Sequence, residues 1–125
     1  MKFTNAQEVI SCLYSLPHLH PKNDLSFIKK ILAKLGNPQD QVKTVHITGT
    51  NGKGSTSYYL ATLLKKAGQK TGLFVSPYVY RFNERIQLNN QDINDQDLVK
   101  AANKVQAAFE EIHKEDNDFS LVTFE

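Results

Sequence analysis

The sequence predicts an α/β domain with a parallel sheet, and three stretches carry that prediction. A short apolar run at Val45 and Ile47 breaks into Gly49, Gly52 and Gly54 wrapped round Lys53. An apolar run of helical spacing follows from Ser55 to Ala67, and a second, nearly continuous apolar strand runs from Thr71 to Ser76. Strand, glycine loop, helix and strand in that order make a right-handed βαβ unit, whose parallel strands end at one sheet edge.

Ahead of that unit the spacing predicts two helices. The first runs from Asn5 to Ser15, with Thr4 as N-cap and Pro17 behind it. Val9, Cys12, Leu13 and Leu16 share its apolar face, so the single cysteine reads as packed core rather than reactive thiol. A polar loop, Pro17 to Asn23, holds His18 and His20, which lack neighbours to complete a metal set and read as solvated. Asp24 caps the second helix, Leu25 to Leu35, with a stripe of Phe27, Ile28, Ile31, Leu32 and Leu35 before Gly36 stops it. The turn NPQDQ leads into the first strand.

In the helix after the glycine loop, Leu60, Leu63, Leu64 and Ala67 are the expected buried face, closed by Gly68. The segment Pro77 to Leu88, PYVYRFNERIQL, mixes aromatics with arginines. Its periodicity fits an extended loop becoming a strand, with Asn89 and Asn90 turning a hairpin back through Ile93. Its chemistry equally fits a grip on a flat, anionic ligand by stacking and charge. A fourth helix is signposted by Asn94 as N-cap, Asp97 at N3 and an Ile93–Leu98 staple, and runs to about Lys114. Leu98, Val105, Ala108, Phe109 and Ile112 form its buried face, after which the chain enters FSLVTFE.

Composition narrows the function classes. The 125 residues fit one compact domain or a piece of a larger one. A net charge of +2 with scattered basic residues argues against nucleic acid, and the lack of a long apolar run argues against a membrane span or signal peptide. One cysteine suits a reducing cytoplasm.

The glycine loop points to phosphate. Glycines let the backbone turn tightly and aim its N–H groups at phosphate oxygens, the new helix adds the positive end of its dipole, and Lys53 adds a cation. GTNGKGS departs from the general pattern G-x-x-x-x-G-K-[ST] at Ile47 and at Gly54, so the hydroxyls of Ser55 and Thr56 come one place late. Ser76, at the C-terminal end of the second strand, is a site candidate because open α/β sheets bind ligands at that edge.

GTNGKGS, then SPYVYRFNERIQL after the next strand, then a closing VTFE, resembles the N-terminal part of folylpolyglutamate synthase and dihydrofolate synthase, of the Mur ligase superfamily. The resemblance covers nearly the whole chain. It implies a P-loop three-layer domain, of which residues 1–125 are the N-terminal part, with the rest of that domain and a C-terminal domain absent. It implies an ATP-dependent amide ligase that joins L-glutamate to folate or dihydropteroate through an acyl phosphate, releasing ADP and phosphate. On that footing Gly49, Thr50, Asn51, Gly52, Lys53, Gly54 and Ser55 bind ATP, with Lys53 as the catalytic cation, and Ser76 and Glu125 ligate Mg2+. Arg81, Phe82 and Arg85 belong near the pterin or folate, as does the loop His20, Pro21, Lys22, Asn23. Two other readings share the glycine loop: a small phosphoryl-transfer or hydrolysing P-loop enzyme, and a non-catalytic nucleotide-binding module. The chain alone is expected to bind ATP weakly and to catalyse nothing.

Overall fold

The structure, a computed structural model, describes residues 2–18 and 25–123. Contacts divide it into two compact units, one of Met1–Lys43 with Gln96–Glu125 and one of Thr44–Asp95.

The first unit is helical: α1 (Ala6–Ser15), α2 (Ser26–Lys34), a 3-10 turn (Pro38–Gln41) and α4, which spans Asp95–Glu115. The cap of α1 is Asn5 rather than Thr4, its side chain accepting the Glu8 N–H at 3.0 Å. The N-cap must sit three residues before the N–H that it accepts, which leaves Thr4 one place outside, where its N–H and hydroxyl both donate to the Glu8 carboxylate at 2.8 Å. α2 starts without a side-chain cap from Leu25, and the expected cap Asp24 lies outside the described residues. It stops as expected at Gly36, where Asn37 N–H reaches Leu32 O at 2.8 Å and Gly36 N–H reaches Ala33 O at 3.1 Å.

The core of this unit joins Ile31, Ala108, Ile112 and Phe119, with Phe27, Ile28, Leu35, Val105, Phe109 and Leu121 packed round it. Phe119 is only 1% exposed and meets Phe27 edge-on at 5.2 Å between centroids. Lys30 lies over the same ring and pairs with Asp116 at 2.7 Å. Asn103 ties the N-terminal segment to α4 by accepting the Phe3 N–H and donating to the Phe3 carbonyl, at 2.8 and 3.0 Å. The Thr123 hydroxyl lies within 3.3 Å of the Leu13, Leu16 and Pro17 carbonyls, where α1 ends, and the Thr123 N–H donates to Pro17 O at 2.9 Å. Cys12 is partly buried rather than fully packed.

The second unit holds α3 (Lys53–Lys66) and a sheet in the order β1 (Gly72–Phe74), β2 (Ile86–Leu88), β3 (Gln91–Asp92). α3 ends in the same way as α2, at Gly68, with Gln69 N–H to Leu64 O at 3.0 Å. The expected hairpin is present: Asn89 and Asn90 have φ of 51° and 60°, the pair of positive values that a type I′ turn requires, and they set Leu88 opposite Gln91.

The parallel sheet is a correction. Every ladder among the described residues is antiparallel, with Gly72 opposite Leu88 and Phe74 opposite Ile86. β1 pairs with the strand that its own following loop returns to it. Residues 43–49 form no strand and make no backbone–backbone bond among the described residues, and Val45 is 68% exposed. A strand exists only through a neighbour that takes its N–H and C=O groups, and 44–48 has none there. For the same reason α3 is covered on one side only. It packs on β1, with Ala61 buried and Leu60 and Leu64 half-buried, whereas Leu63 is 64% exposed and Ala67 is exposed too, against expectation.

Candidate functional site

All the chemistry singled out between residues 44 and 95 falls within the second unit. The extended run to Ile47 enters the glycine loop, and α3 begins at Lys53. Gly52 sits at the N-cap with φ 77° and ψ 2°, a left-handed conformation that a side chain resists, so this glycine sets the entry into the helix. Gly49, at φ 152°, is the second special position of the loop. Gly54 is different: its φ is not positive and a Cβ there would meet nothing within 4 Å, so the fold does not itself demand a glycine.

Gly49, Thr50, Asn51, Gly52, Lys53, Gly54 and Ser55 are all exposed. The first N–H groups of α3 have no carbonyl a turn earlier, and the first intrahelical bond closes from Thr56 N–H to Gly52 O at 2.9 Å. N–H groups left over at a helix start, with the dipole behind them, can receive an anion. Lys53 Nζ folds over the loop, donating to Gly49 O at 2.6 Å and lying 3.4 Å from Thr50 O. The cation is therefore held over the loop by the loop's own carbonyls.

Ser76 follows β1, is exposed, and its hydroxyl accepts a bond from Arg85 Nη1 at 2.8 Å. The Arg85 guanidinium also lies over the rings of Tyr78 at 5.1 Å and Phe82 at 5.6 Å, which meet each other at 62°. The structure thus brings together Ser76, Phe82 and Arg85 from the predicted set, with Tyr78. Arg81 turns elsewhere, its guanidinium 3.4 Å from Asp95. His20, Pro21, Lys22, Asn23 and Glu125 lie outside the described residues.

Two residues that the sequence reading gave no role hold this segment in shape. The Glu84 carboxylate accepts the N–H groups of Val79, Tyr80 and Arg81 at 2.8, 3.0 and 2.8 Å. Those bonds, led by Val79 and then Arg81, hold its pKa below the ordinary glutamate value. Asn83, 3% exposed, donates its amide to Ile93 O at 2.7 Å and to Asp95 Oδ1 at 2.9 Å, pinning the 3-10 turn Phe82–Arg85 to the far end of the hairpin. The signal was the pair Asn-Glu inside an aromatic and basic run, where neither residue suits a strand.

Among the described residues no group of three or more His, Cys, Asp or Glu side chains could hold a metal. No helix there is long and apolar enough to cross a membrane.

No protein-family model matches the chain. Individual proteins do. It is 40% identical over 121 residues to folylpolyglutamate synthase of Lacticaseibacillus casei, covering 97% of this chain and 28% of the relative. It is 32% identical over 125 residues to dihydrofolate synthase/folylpolyglutamate synthase of Bacillus subtilis, covering 97% and 29%. Among solved structures, a Lactobacillus casei folylpolyglutamate synthetase superposes with a TM-score of 0.91 over 97% of this chain and 30% of its own. The Thermotoga maritima folylpolyglutamate synthase follows at 0.83 with 36% identity, over 95% of this chain and 27% of its own. A further structure of 40% identity and TM-score 0.91, again over 97% of this chain and 30% of its own, is an FPGS–AMPPCP–folate complex. The chain spans less than a third of the length of these relatives. Agreement in sequence and in backbone over almost all its residues places the chain in the folylpolyglutamate synthase/dihydrofolate synthase family, as a counterpart of the N-terminal part of its members.

Proposed function

We propose that this chain supplies the phosphate-binding loop and an acceptor-side segment of an ATP-dependent ligase that adds L-glutamate to folate or to dihydropteroate. The observation that carries the reading is the glycine loop at the start of α3, with Lys53 held over exposed N–H groups, in a chain whose relatives are folylpolyglutamate synthases. Such an enzyme moves the ATP γ-phosphoryl group onto the acceptor carboxylate, and the glutamate amine displaces phosphate from the acyl phosphate. Phosphoryl transfer asks mainly for positioning and charge neutralisation, which backbone N–H groups and a mobile lysine provide. Arg85 beside the Tyr78 and Phe82 rings suits a flat acceptor bearing a carboxylate.

Ser76 fits a magnesium site as a single hard oxygen, since Mg2+ commonly takes one or two protein ligands and completes its shell with phosphate and water. Bound there with ATP, the ion would neutralise charge on the transferred phosphoryl group. The chain's own contribution is the loop that orients the phosphates and the hydroxyl that anchors their counter-ion. By itself the chain is read as inactive, because glutamate binding and exclusion of water are not provided by the exposed loop.

The test is a chimera in which this chain replaces the matching part of the L. casei relative, assayed with ATP, labelled glutamate and each acceptor in turn. ATP-dependent incorporation on at least one acceptor is expected, and incorporation on none refutes the assignment.

A further inference from the structure

Arg85 occupies an unusual position. Its Nη1 donates to the Ser76 hydroxyl oxygen, its guanidinium lies over Tyr78 and Phe82, and its Nε is buried without an acceptor. A buried donor left unpaired is costly, and the aromatic rings return attraction for the charge but no hydrogen-bond acceptor. The arrangement is therefore held by the rings and by Ser76 together. A serine hydroxyl has two lone pairs, and one of them is already committed to a cation here. A divalent ion on the same oxygen would face a guanidinium whose nitrogen lies 2.8 Å away, and two cations sharing one neutral oxygen repel.

We propose that Arg85 is a positioning residue that competes with a divalent cation for Ser76 Oγ, so that cation binding releases its guanidinium to an anionic group of the acceptor. The inference rests on the reading of Ser76 as a magnesium anchor. Its geometry is favourable for a switch: the guanidinium lies over two rings, whose attraction for the charge does not depend on the hydrogen bond to Ser76. Segment 79–81 does not have to move with it, because Glu84 holds the N–H groups of Val79, Tyr80 and Arg81 by bonds in which Arg85 takes no part.

The test uses the purified chain with Mn2+ as the probe ion and AMPPCP as the nucleotide, reading free Mn2+ by electron paramagnetic resonance. Ser76→Ala weakens Mn2+ binding if the serine is a ligand. Arg85→Met keeps an apolar stem on the rings but removes the competing charge, and is expected to tighten Mn2+ binding by about tenfold, the scale of one hydrogen bond to a charged group. Arg85→Lys, which keeps a charge, should lie between Arg85→Met and the parent. If Ser76→Ala weakens binding while Arg85→Met leaves it unchanged or weaker, with circular dichroism unaltered, the competition is refuted and the anchor stands. If Arg85→Met alters circular dichroism, Arg85→Lys decides, and binding no tighter than the parent's refutes the competition. If Ser76→Ala has no effect, or the parent shows no saturable Mn2+ binding with AMPPCP, the anchor reading falls and the proposal falls with it.

Discussion

Replacing Asn83 tests the scaffold of the segment 77–88 most directly, because its side-chain bonds tie the turn Phe82–Arg85 to the end of the hairpin. Both partners of its side chain, Ile93 O and Asp95 Oδ1, are acceptors, so the amide must present its NH2 group to them. Asn83→Ala removes a bond to a carbonyl and a bond to a carboxylate. At about 1 kcal/mol for the first and about 2 for the second, the loss is about 3 kcal/mol, a large share of the stability of a small unit. Asn83→Asp keeps the size but turns a donor into an acceptor, setting a carboxylate against the Asp95 carboxylate at a residue that is 3% exposed. It should therefore destabilise more than alanine does at pH 7, and recover towards the alanine value as acid protonates it. The assay is urea unfolding followed by tyrosine fluorescence, because Tyr58, Tyr59, Tyr78 and Tyr80 all belong to the second unit. An Asn83→Asp chain as stable at pH 7 as Asn83→Ala would show that the amide does not make these bonds.

Other outcomes follow from the same geometry. Lys53→Ala should leave the urea midpoint unchanged, since the side chain is exposed, and weaken Mg-ATP binding at least about tenfold, measured by calorimetry. Gly52→Ala forces a Cβ into a left-handed conformation and should cost about 1 kcal/mol of stability, whereas Gly54→Ala should cost none, so loss of ATP binding in the latter would report ligand approach alone. Glu84 has its pKa lowered by the fold, so its contribution is complete above the ordinary value of 4.5 and is lost as pH falls through the depressed one. The protection of the Val79, Tyr80 and Arg81 amides, their exchange rate taken relative to the unprotected rate at each pH, should accordingly fall in acid, and Glu84→Gln should remove that pH dependence, while protection in α4 serves as the control. Phe119→Ala should cost about 3–5 kcal/mol in the first unit, by the same urea assay followed by circular dichroism.

The parts of this chain that were legible from residues alone share one property: their causes are local. Gly36 and Gly68 end helices because of what the next two N–H groups must reach, and Asn89-Asn90 turns a hairpin because of its own backbone preferences. The boundaries of α4 and most of its buried face followed from spacing for the same reason. Where the cause lay in another segment the reading failed. Leu63 belongs to an apolar stripe by spacing yet is exposed, because burial needs a second surface and α3 packs on the β1 side, where Asn90 of the hairpin turn also bonds Thr62. Phe119 is the reverse case, a central core residue in a stretch with no periodicity, buried because Phe27 and Phe109 come to it from two helices.

The candidate site divides along the same line. The loop that leads into α3, with Gly52 at its N-cap and Lys53 opening the helix, was legible because it is written in consecutive residues. The partnership of Ser76 with Arg85 was not, because it depends on a turn that Asn83 and Glu84 build between them. Periodicity left the segment 77–88 open between an extended loop entering a strand and a ligand grip, and the structure bears out the strand at Ile86–Leu88, reached through a 3-10 turn at Phe82–Arg85. Tyr78 and Phe82 lie under the Arg85 guanidinium, while Ile86–Leu88 is itself the central strand of the sheet. One short segment thus both completes the sheet and carries the charge, so substitutions at Asn83 or Glu84 should reach Arg85 through the backbone without touching it.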